Sequence, residues 1–304
     1  MKIIYAGSPQ YAVAPLKALV QAGCEVVAVL TQPDKPVGRK RVLTPTPVKS
    51  FALSLGLPVY DFERVRDRAQ ELKAVGADVM FTCAYGQLLT DEILNLFPMG
   101  VYNLHASLLP EFRGASPIQS AILAGCGYTG VTVMKTELAL DCGGILLVKR
   151  CKAEGKTYGE LSDELSALSA EAVVEAVRIL DCGEPQLMLQ DEARATYCKK
   201  ISKADAAVDF KKSAENVANL INAFSPSPAA FAYLNGSAVN LLKSAPCNGE
   251  GESGTVLSAD KNGIVVACGN GAVKVLKLQF SGGKPLSAAD VVNGRKIKAG
   301  DRFD

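Results

Sequence analysis

Short apolar runs alternate with amphipathic stretches through the first part of the chain. Residues 2–6, 25–31, 78–83 and 101–105 are brief and mostly apolar, and they read as buried strands. The stretches between them carry helical patterns, and this alternation predicts parallel strands joined by helical crossovers. Ser8 suits an N-cap and Pro9 the first helical position, so a helix is predicted from Pro9 to about Ala22, stopped by Gly23. The same signal at Ser116-Pro117 opens a predicted helix through Ile118 to Ala124, closed by Gly125. Residues 130–135 then alternate like a strand, and residues 158–180 form a long amphipathic helical pattern.

After Gly183-Glu184-Pro185 the chain is irregular, and residues 204–223 read as another helix. Beyond Pro226 and Pro228 the period shortens. Phe231-Ala232-Tyr233-Leu234 turns at Asn235-Gly236 into residues 237–242, a strong hairpin signal. Residues 254–258, 263–268 and 272–278 continue as strands, with turns at Asp260-Lys261-Asn262-Gly263 and Gly269-Asn270-Gly271. These runs predict a barrel of roughly five strands. The expected fold class is α/β: a Rossmann-like domain over residues 1–185, a linker over 186–206, and a small OB-like β-barrel domain over 207–304.

Composition narrows what such a chain does. Its 304 residues suggest about two domains, and 48% hydrophobic with 21% charged residues supplies an ordinary soluble core. The net charge of +2 is too small for bulk nucleic-acid affinity, which leaves Arg39-Lys40-Arg41 and Lys296/Lys298 as local clusters able to meet phosphate. Nine cysteines without a CxxC pair point to a reducing compartment, and with a single histidine no metal site is expected. The first apolar run is too short for a signal peptide, and no stretch reaches spanning length, so a cytoplasmic protein with no membrane partner is expected.

The single histidine, His105, carries the chemistry. Asn103 and His105 stand two apart in an apolar-flanked strand, so both side chains face the same way and Leu104 faces the other. An amide and an imidazole side by side suit an oxyanion developing on an attacked carbonyl, where losing one donor typically costs roughly 2.7–4 kcal/mol. The first turn, Gly7-Ser8-Pro9, lacks GxGxxG, so no nicotinamide cofactor is expected. Ligands of such sheets bind beyond the carboxyl ends of the strands, where Asn103 and His105 lie. Asp141 sits in the glycine-flanked loop Leu140-Asp141-Cys142-Gly143-Gly144, either as a turn former or as an acid returning to His105. Residue chemistry alone stops at acyl-type transfer on a Rossmann-like scaffold.

Several motifs in order extend this reading. They are Ala6-Gly7-Ser8-Pro9, the run from Thr31 to Arg39 (TQPDKPVGR), Thr44-Pro45-Thr46-Pro47-Val48-Lys49, Ala84-Tyr85-Gly86, the segment from Asn103 to Arg113-Gly114, Gln190-Asp191-Glu192 and Ala195-Thr196-Tyr197. On these the chain resembles the methionyl-tRNA formyltransferases over nearly its full length. The NxH, SLLP and distant Asp are shared with the wider group that uses 10-formyltetrahydrofolate. The QPDKPxGR segment is the narrower signal.

The resemblance implies transfer of the formyl group of 10-formyltetrahydrofolate to the methionine amino group of initiator tRNA, by a monomer and without metal. It implies Asn103, His105 and Asp141 as the catalytic trio. Ser107, Leu108, Leu109 and Pro110, with Ala84, Tyr85, Gly86, Gln87 and Leu88, are the implied folate contacts, and Arg39, Lys40 and Arg41 the implied tRNA contacts. Two departures stand out. Gly144 occupies a position where the family commonly has Asp, and Ala223-Phe224-Ser225-Pro226-Ser227-Pro228 lacks the Asn and Trp often found around those prolines. The rival readings are a formyltransferase for a sugar-linked amine and an RNA-binding protein that keeps the fold without activity.

Overall fold

The computed structural model describes residues 1–38 and 40–304. In chain order the first strands are β1 (Lys2–Gly7), β2 (Glu25–Leu30), β3 (Lys35–Val37), β4 (Val42–Thr44), β5 (Val59–Tyr60), β6 (Val79–Cys83), β7 (Val101–His105), β8 (Arg113–Gly114), β9 (Tyr128–Lys135) and β10 (Ile145–Lys152). Seven of them form one sheet in the order β10-β9-β7-β6-β1-β2-β5. β5, β2, β1, β6 and β7 run parallel, and β9 pairs antiparallel with β7. Ile3, Ile4, Tyr5 and Ala6 of β1 and Val79, Met80 and Phe81 of β6 are fully buried, as expected of strands covered on both faces.

The helices are α1 (Val13–Gln21), α2 (Pro47–Ser54), α3 (Ala69–Val75), α4 (Asp91–Leu94), α5 (Pro117–Leu123) and α6 (Tyr158–Asp181). The start of α1 departs from the sequence expectation. Residues Gln10–Ala12 form a 3-10 turn, Ser8 does not cap it, and the α-helix begins only at Val13. Pro15 is the reason: without an N–H it is tolerated in a helix's first turn and not deeper inside. Ser116 likewise leaves α5 uncapped, because its hydroxyl accepts from the Ile201 amide at 3.3 Å. Pro117 still opens that helix. Within the TQPDKPVGR segment, Lys35–Val37 form β3, which pairs antiparallel with β4.

The chain divides into two compact units. The first contains Met1–Gly114, Thr129–Cys151 and Ser162–Tyr197, and the second Ala115–Tyr128, Lys152–Leu161 and Cys198–Asp304. Residues 186–197, expected as linker, fall in the first unit, and α5, expected in the first domain, falls in the second. Side-chain pairing with distant residues decides the former, since Gln190 and Glu192 both hydrogen-bond to Arg113.

The remaining elements are β11 (Tyr197–Cys198) and, in the second unit, α7 (Ala214–Ala223), β12 (Ala230–Leu234), β13 (Ser237–Cys247), β14 (Val256–Asp260), β15 (Gly263–Ala267), β16 (Ala272–Phe280), β17 (Leu286–Ser287) and α8 (Ala288–Asn293). Strands β12 to β17 form an antiparallel sheet in the order β12-β13-β16-β15-β14, with β17 against β16. Arg302 bridges Thr255 and Phe303 bridges Leu234, so the terminal segment joins the two edges and closes the sheet. The hairpin at Asn235-Gly236 holds as expected, both residues having positive φ (51° and 75°). The helix predicted over 204–223 shortens to α7, because Ser213 accepts from the Asn216 amide and so caps the helix there. Among the described residues no helix is long and apolar enough to cross a membrane, and none of the nine cysteines is in a disulfide.

Candidate active site

β7 places Asn103 and His105 on one face of the sheet and buries Leu104 on the other. Thr82 stands opposite Asn103 in the β6–β7 register, and its hydroxyl donates to Asn103 Oδ1 at 2.9 Å. That bond fixes the amide with Nδ2 as the end left to donate. His105 is buried, with Nε2 2.9 Å from the Phe112 carbonyl. A carbonyl only accepts, so the proton belongs on Nε2 and the bare Nδ1 is the nitrogen that faces Asp141 Oδ2 at 3.7 Å. The imidazole therefore donates to an oxyanion only by giving up Phe112, whereas Asn103 donates as it stands.

Asp141 returns to this site from the loop between β9 and β10. Its backbone is left-handed at φ 49°, and its Oδ2 accepts from the Gly114 amide at 2.8 Å. Both members of the Gly143-Gly144 pair are forced by crowding: a Cβ on Gly143 would lie 1.9 Å from the Lys135 carbonyl, and one on Gly144 2.8 Å from Leu187 Cβ. The side chain absent at position 144 thus has no space to occupy while Leu187 packs there.

The segment after β7 is buried and hydrogen-bonded to its neighbours. Ser107 is fully buried and donates to the Glu111 carbonyl at 2.6 Å, while Thr132 donates to the Ser107 carbonyl and accepts from the Leu109 amide. Leu109 is buried against Met134 and Ile145, Pro110 is buried after a cis peptide bond, and Leu108 is half-buried.

The residues after β6 divide by face. The Tyr85 ring lies in the core cluster with Ile4, Met80 and Ile93, so only its backbone faces outward; burial raises its hydroxyl's pKa well above the ordinary value. Ser8 Oγ donates to the Tyr85 carbonyl, and Gln32 Nε2 donates to the carbonyls of Tyr85 and Gly86. Gln87 is turned away, donating to the Phe62 carbonyl and accepting from the Val65 amide at 2.7 Å each. Ala84 and Gly86 are exposed, and Leu88 is 82% exposed, an apolar side chain with no core to cover it.

The basic hairpin is fastened at its root. Lys49 of α2 pairs with Asp34 at 2.6 Å and Asp61 at 2.8 Å, and these hydrogen bonds hold its ammonium pKa above the usual lysine value. Thr46 caps α2 by accepting from the Lys49 amide and shares a 2.5 Å hydrogen bond with Thr31. Lys40 and Arg41 are exposed at the hairpin's turn, while Arg39 lies outside the described residues. Sequence reasoning missed Thr82, Ser8 and Gln32 as supports, and it gave Arg113 and Gln190 no role. Among the described residues no cluster of three or more His, Cys, Asp or Glu side chains is arranged to hold a metal ion.

Comparison with known proteins follows the two parts of the chain. The formyl transferase family model matches residues 1–177, and its C-terminal domain model matches residues 200–296. The methionyl-tRNA formyltransferase of Chromobacterium violaceum is 44% identical over 307 aligned positions, covering 100% of this chain and 99% of that one. Among solved structures, the N-formyltransferase from Helicobacter canadensis, crystallised with folinic acid and dTDP-3-aminofucose, superposes with TM-score 0.70 at 18% identity, over 90% of this chain and 98% of its own. HypX from Aquifex aeolicus in complex with tetrahydrofolic acid gives TM-score 0.66 at 17% identity, over 96% of this chain and 47% of its own. These last two share the fold. Two matched domains in order and a relative alike from end to end establish that the chain belongs to the formyl transferase family, among the methionyl-tRNA formyltransferases.

Proposed function

We propose that this chain transfers the formyl group of 10-formyltetrahydrofolate to the free amino group of methionyl initiator tRNA, giving the formylmethionyl-tRNA used to start translation. The observation that carries the chemistry is the convergence of Asn103, His105 and Asp141 at the carboxyl end of β7, with 3.7 Å between His105 Nδ1 and Asp141 Oδ2. The relatives alike over nearly their whole length support the acceptor.

On this reading the amine nitrogen attacks the formyl carbon, and charge gathers on the formyl oxygen beside Asn103 Nδ2. A preorganised donor there lowers the barrier because it needs no reorientation as charge appears. The proton lost by the amine passes to the bare Nδ1 of His105, directly or through water, and the imidazolium is stabilised by the Asp141 carboxylate. Collapse of the tetrahedral adduct breaks the bond to N10 of the folate, and the imidazolium delivers that proton to N10.

The folate slot is proposed along Ser107, Leu108, Leu109 and Pro110 and the segment Ala84, Tyr85, Gly86, Gln87 and Leu88. The exposed backbone around Ala84 and Gly86 and the uncovered Leu88 side chain suit a flat apolar ring with polar edges. Tyr85 and Gln87 contribute backbone only, given where their side chains point. Arg39, Lys40 and Arg41 are proposed to meet tRNA phosphate, with residues 1–185 catalytic and 207–304 holding the tRNA. A cytoplasmic monomer is the proposed working form; nine cysteines with none in a disulfide support a reducing compartment.

The test is formyl transfer from 10-formyltetrahydrofolate to methionyl initiator tRNA by the native chain and by His105→Ala, with an amino-sugar nucleotide as a second acceptor. Transfer to tRNA that collapses in the variant is expected. Transfer to the sugar alone keeps the mechanism and replaces the acceptor, and transfer to neither overturns the reading.

A further inference from the structure

Arg113 is 1% exposed, yet its guanidinium is fully engaged. It donates to Gln190 Oε1 from Nε (3.1 Å) and Nη2 (2.8 Å), to both Glu192 carboxylate oxygens (2.9 and 2.6 Å), and to the Tyr197 hydroxyl (3.3 Å). Its chain neighbours are the two backbone groups that hold the site, since the Phe112 carbonyl accepts from His105 and the Gly114 amide donates to Asp141. Anchoring Arg113 therefore anchors both contacts.

Gln190 links this anchor to the other side of the site. While its carbonyl end accepts from Arg113, its Nε2 donates to the backbone carbonyls of Asp141 (2.9 Å) and Gly143 (2.8 Å). Asp141 holds a left-handed backbone, and these two bonds pin the loop in that conformation from the side opposite Gly114. One amide thus ties the loop bearing Asp141 to the loop bearing Phe112 and Gly114.

We infer that Gln190 is a positioning residue for the transfer, setting where the Asp141 carboxylate stands relative to the His105 imidazole; the inference rests on the reaction proposed above. Gln190 touches no reacting atom, and its effect passes through the Asp141 loop.

Gln190→Glu separates the two halves of this link. The new carboxylate still accepts from Arg113, while an oxygen replaces the nitrogen that donated to Asp141 and Gly143. In the full chain, we would measure kcat and KM for both substrates, together with the 15N resonances of the imidazole, unambiguous because the chain has one histidine. The expected result is a kcat lower by roughly 10²-fold, the scale of a small misplacement of catalytic groups, with both KM values unchanged and the Nδ1 resonance displaced. Unchanged kcat and unchanged resonances overturn the inference, as does a lowered Tm with kcat intact. Should this variant fail to fold, Gln190→Met keeps the length, removes both donated bonds and carries the same expectations. If the native chain does not formylate tRNA, the functional reading fails by itself, and the resonances still decide whether Gln190 places Asp141.

Discussion

His105 Nδ1 and Asp141 Oδ2 face each other across 3.7 Å, longer than a hydrogen bond, while the Gly114 amide lies 2.8 Å from the same carboxylate oxygen. The pair is poised to tighten when a proton arrives on Nδ1, because charge then draws the two together. Asp141→Asn keeps an acceptor for Gly114 and removes that charge. We expect kcat to fall by about 10²–10⁴-fold with little change in KM for the tRNA, measured by steady-state formyl transfer.

Crowding around Gly144 makes a second prediction. A Cβ there would meet Leu187 Cβ at 2.8 Å, too close to relieve by rotating a side chain. Gly144→Ala should lower stability by about 1–3 kcal/mol in urea unfolding, the usual scale for overpacking. Adding Leu187→Gly should give a double variant less destabilised than the two single changes summed. Strict additivity would show that the two positions do not compete for the same space.

Acid should loosen the segment that carries Gln190. Hydrogen bonding to Arg113 holds the Glu192 carboxyl below its usual value of 4.5. A depressed carboxyl contributes stability in full above that usual value and loses it as pH falls through the lowered one. The Tm of the native chain should therefore drop more steeply below about pH 4.5 than that of Glu192→Gln, which should start lower at neutral pH. Parallel curves for the two proteins would contradict this.

The thiols should react in an order set by burial. Cys182 is exposed, whereas burial pushes the Cys83 thiol up to about 12 and the Cys268 thiol to about 11. Since the thiolate is the reactive form, a short pulse of iodoacetamide at mildly alkaline pH should label Cys182 first and leave Cys83 and Cys268 for the unfolded chain. Peptide mass spectrometry reads the order directly.

What the sequence made legible was local. Asn103 and His105 share a face because a strand alternates, and Asn235-Gly236 turns because both residues accept positive φ; each follows from a few neighbouring positions. The later start of α1 follows from Pro15, which outweighs the Ser8-Pro9 signal. The Arg113–Gln190 link was not legible. Its members stand 77 positions apart, and no period or spacing connects a glutamine after one irregular stretch to an arginine before another. The approach of Asp141 to His105 is only half legible: a glycine-flanked Asp reads equally well as a turn former or as an acid returning to the histidine, and the resemblance alone chooses between them.

The closure of the second unit by Arg302 and Phe303 bears on how the molecule behaves in company. β12 and β14 are the edges of their sheet, and an edge's row of unpaired N–H and C=O groups is a template on which another chain can build. Here Tyr233 exchanges both backbone hydrogen bonds with Asp304, and the Gly254 carbonyl accepts from the Phe303 amide. The buried Phe303 ring beside Phe210, with 5.7 Å between centroids, keeps that cover in place. A few residues at the end of the chain thus act as a seal, and loosening them would expose sticky β-edges that turn a local defect into self-association.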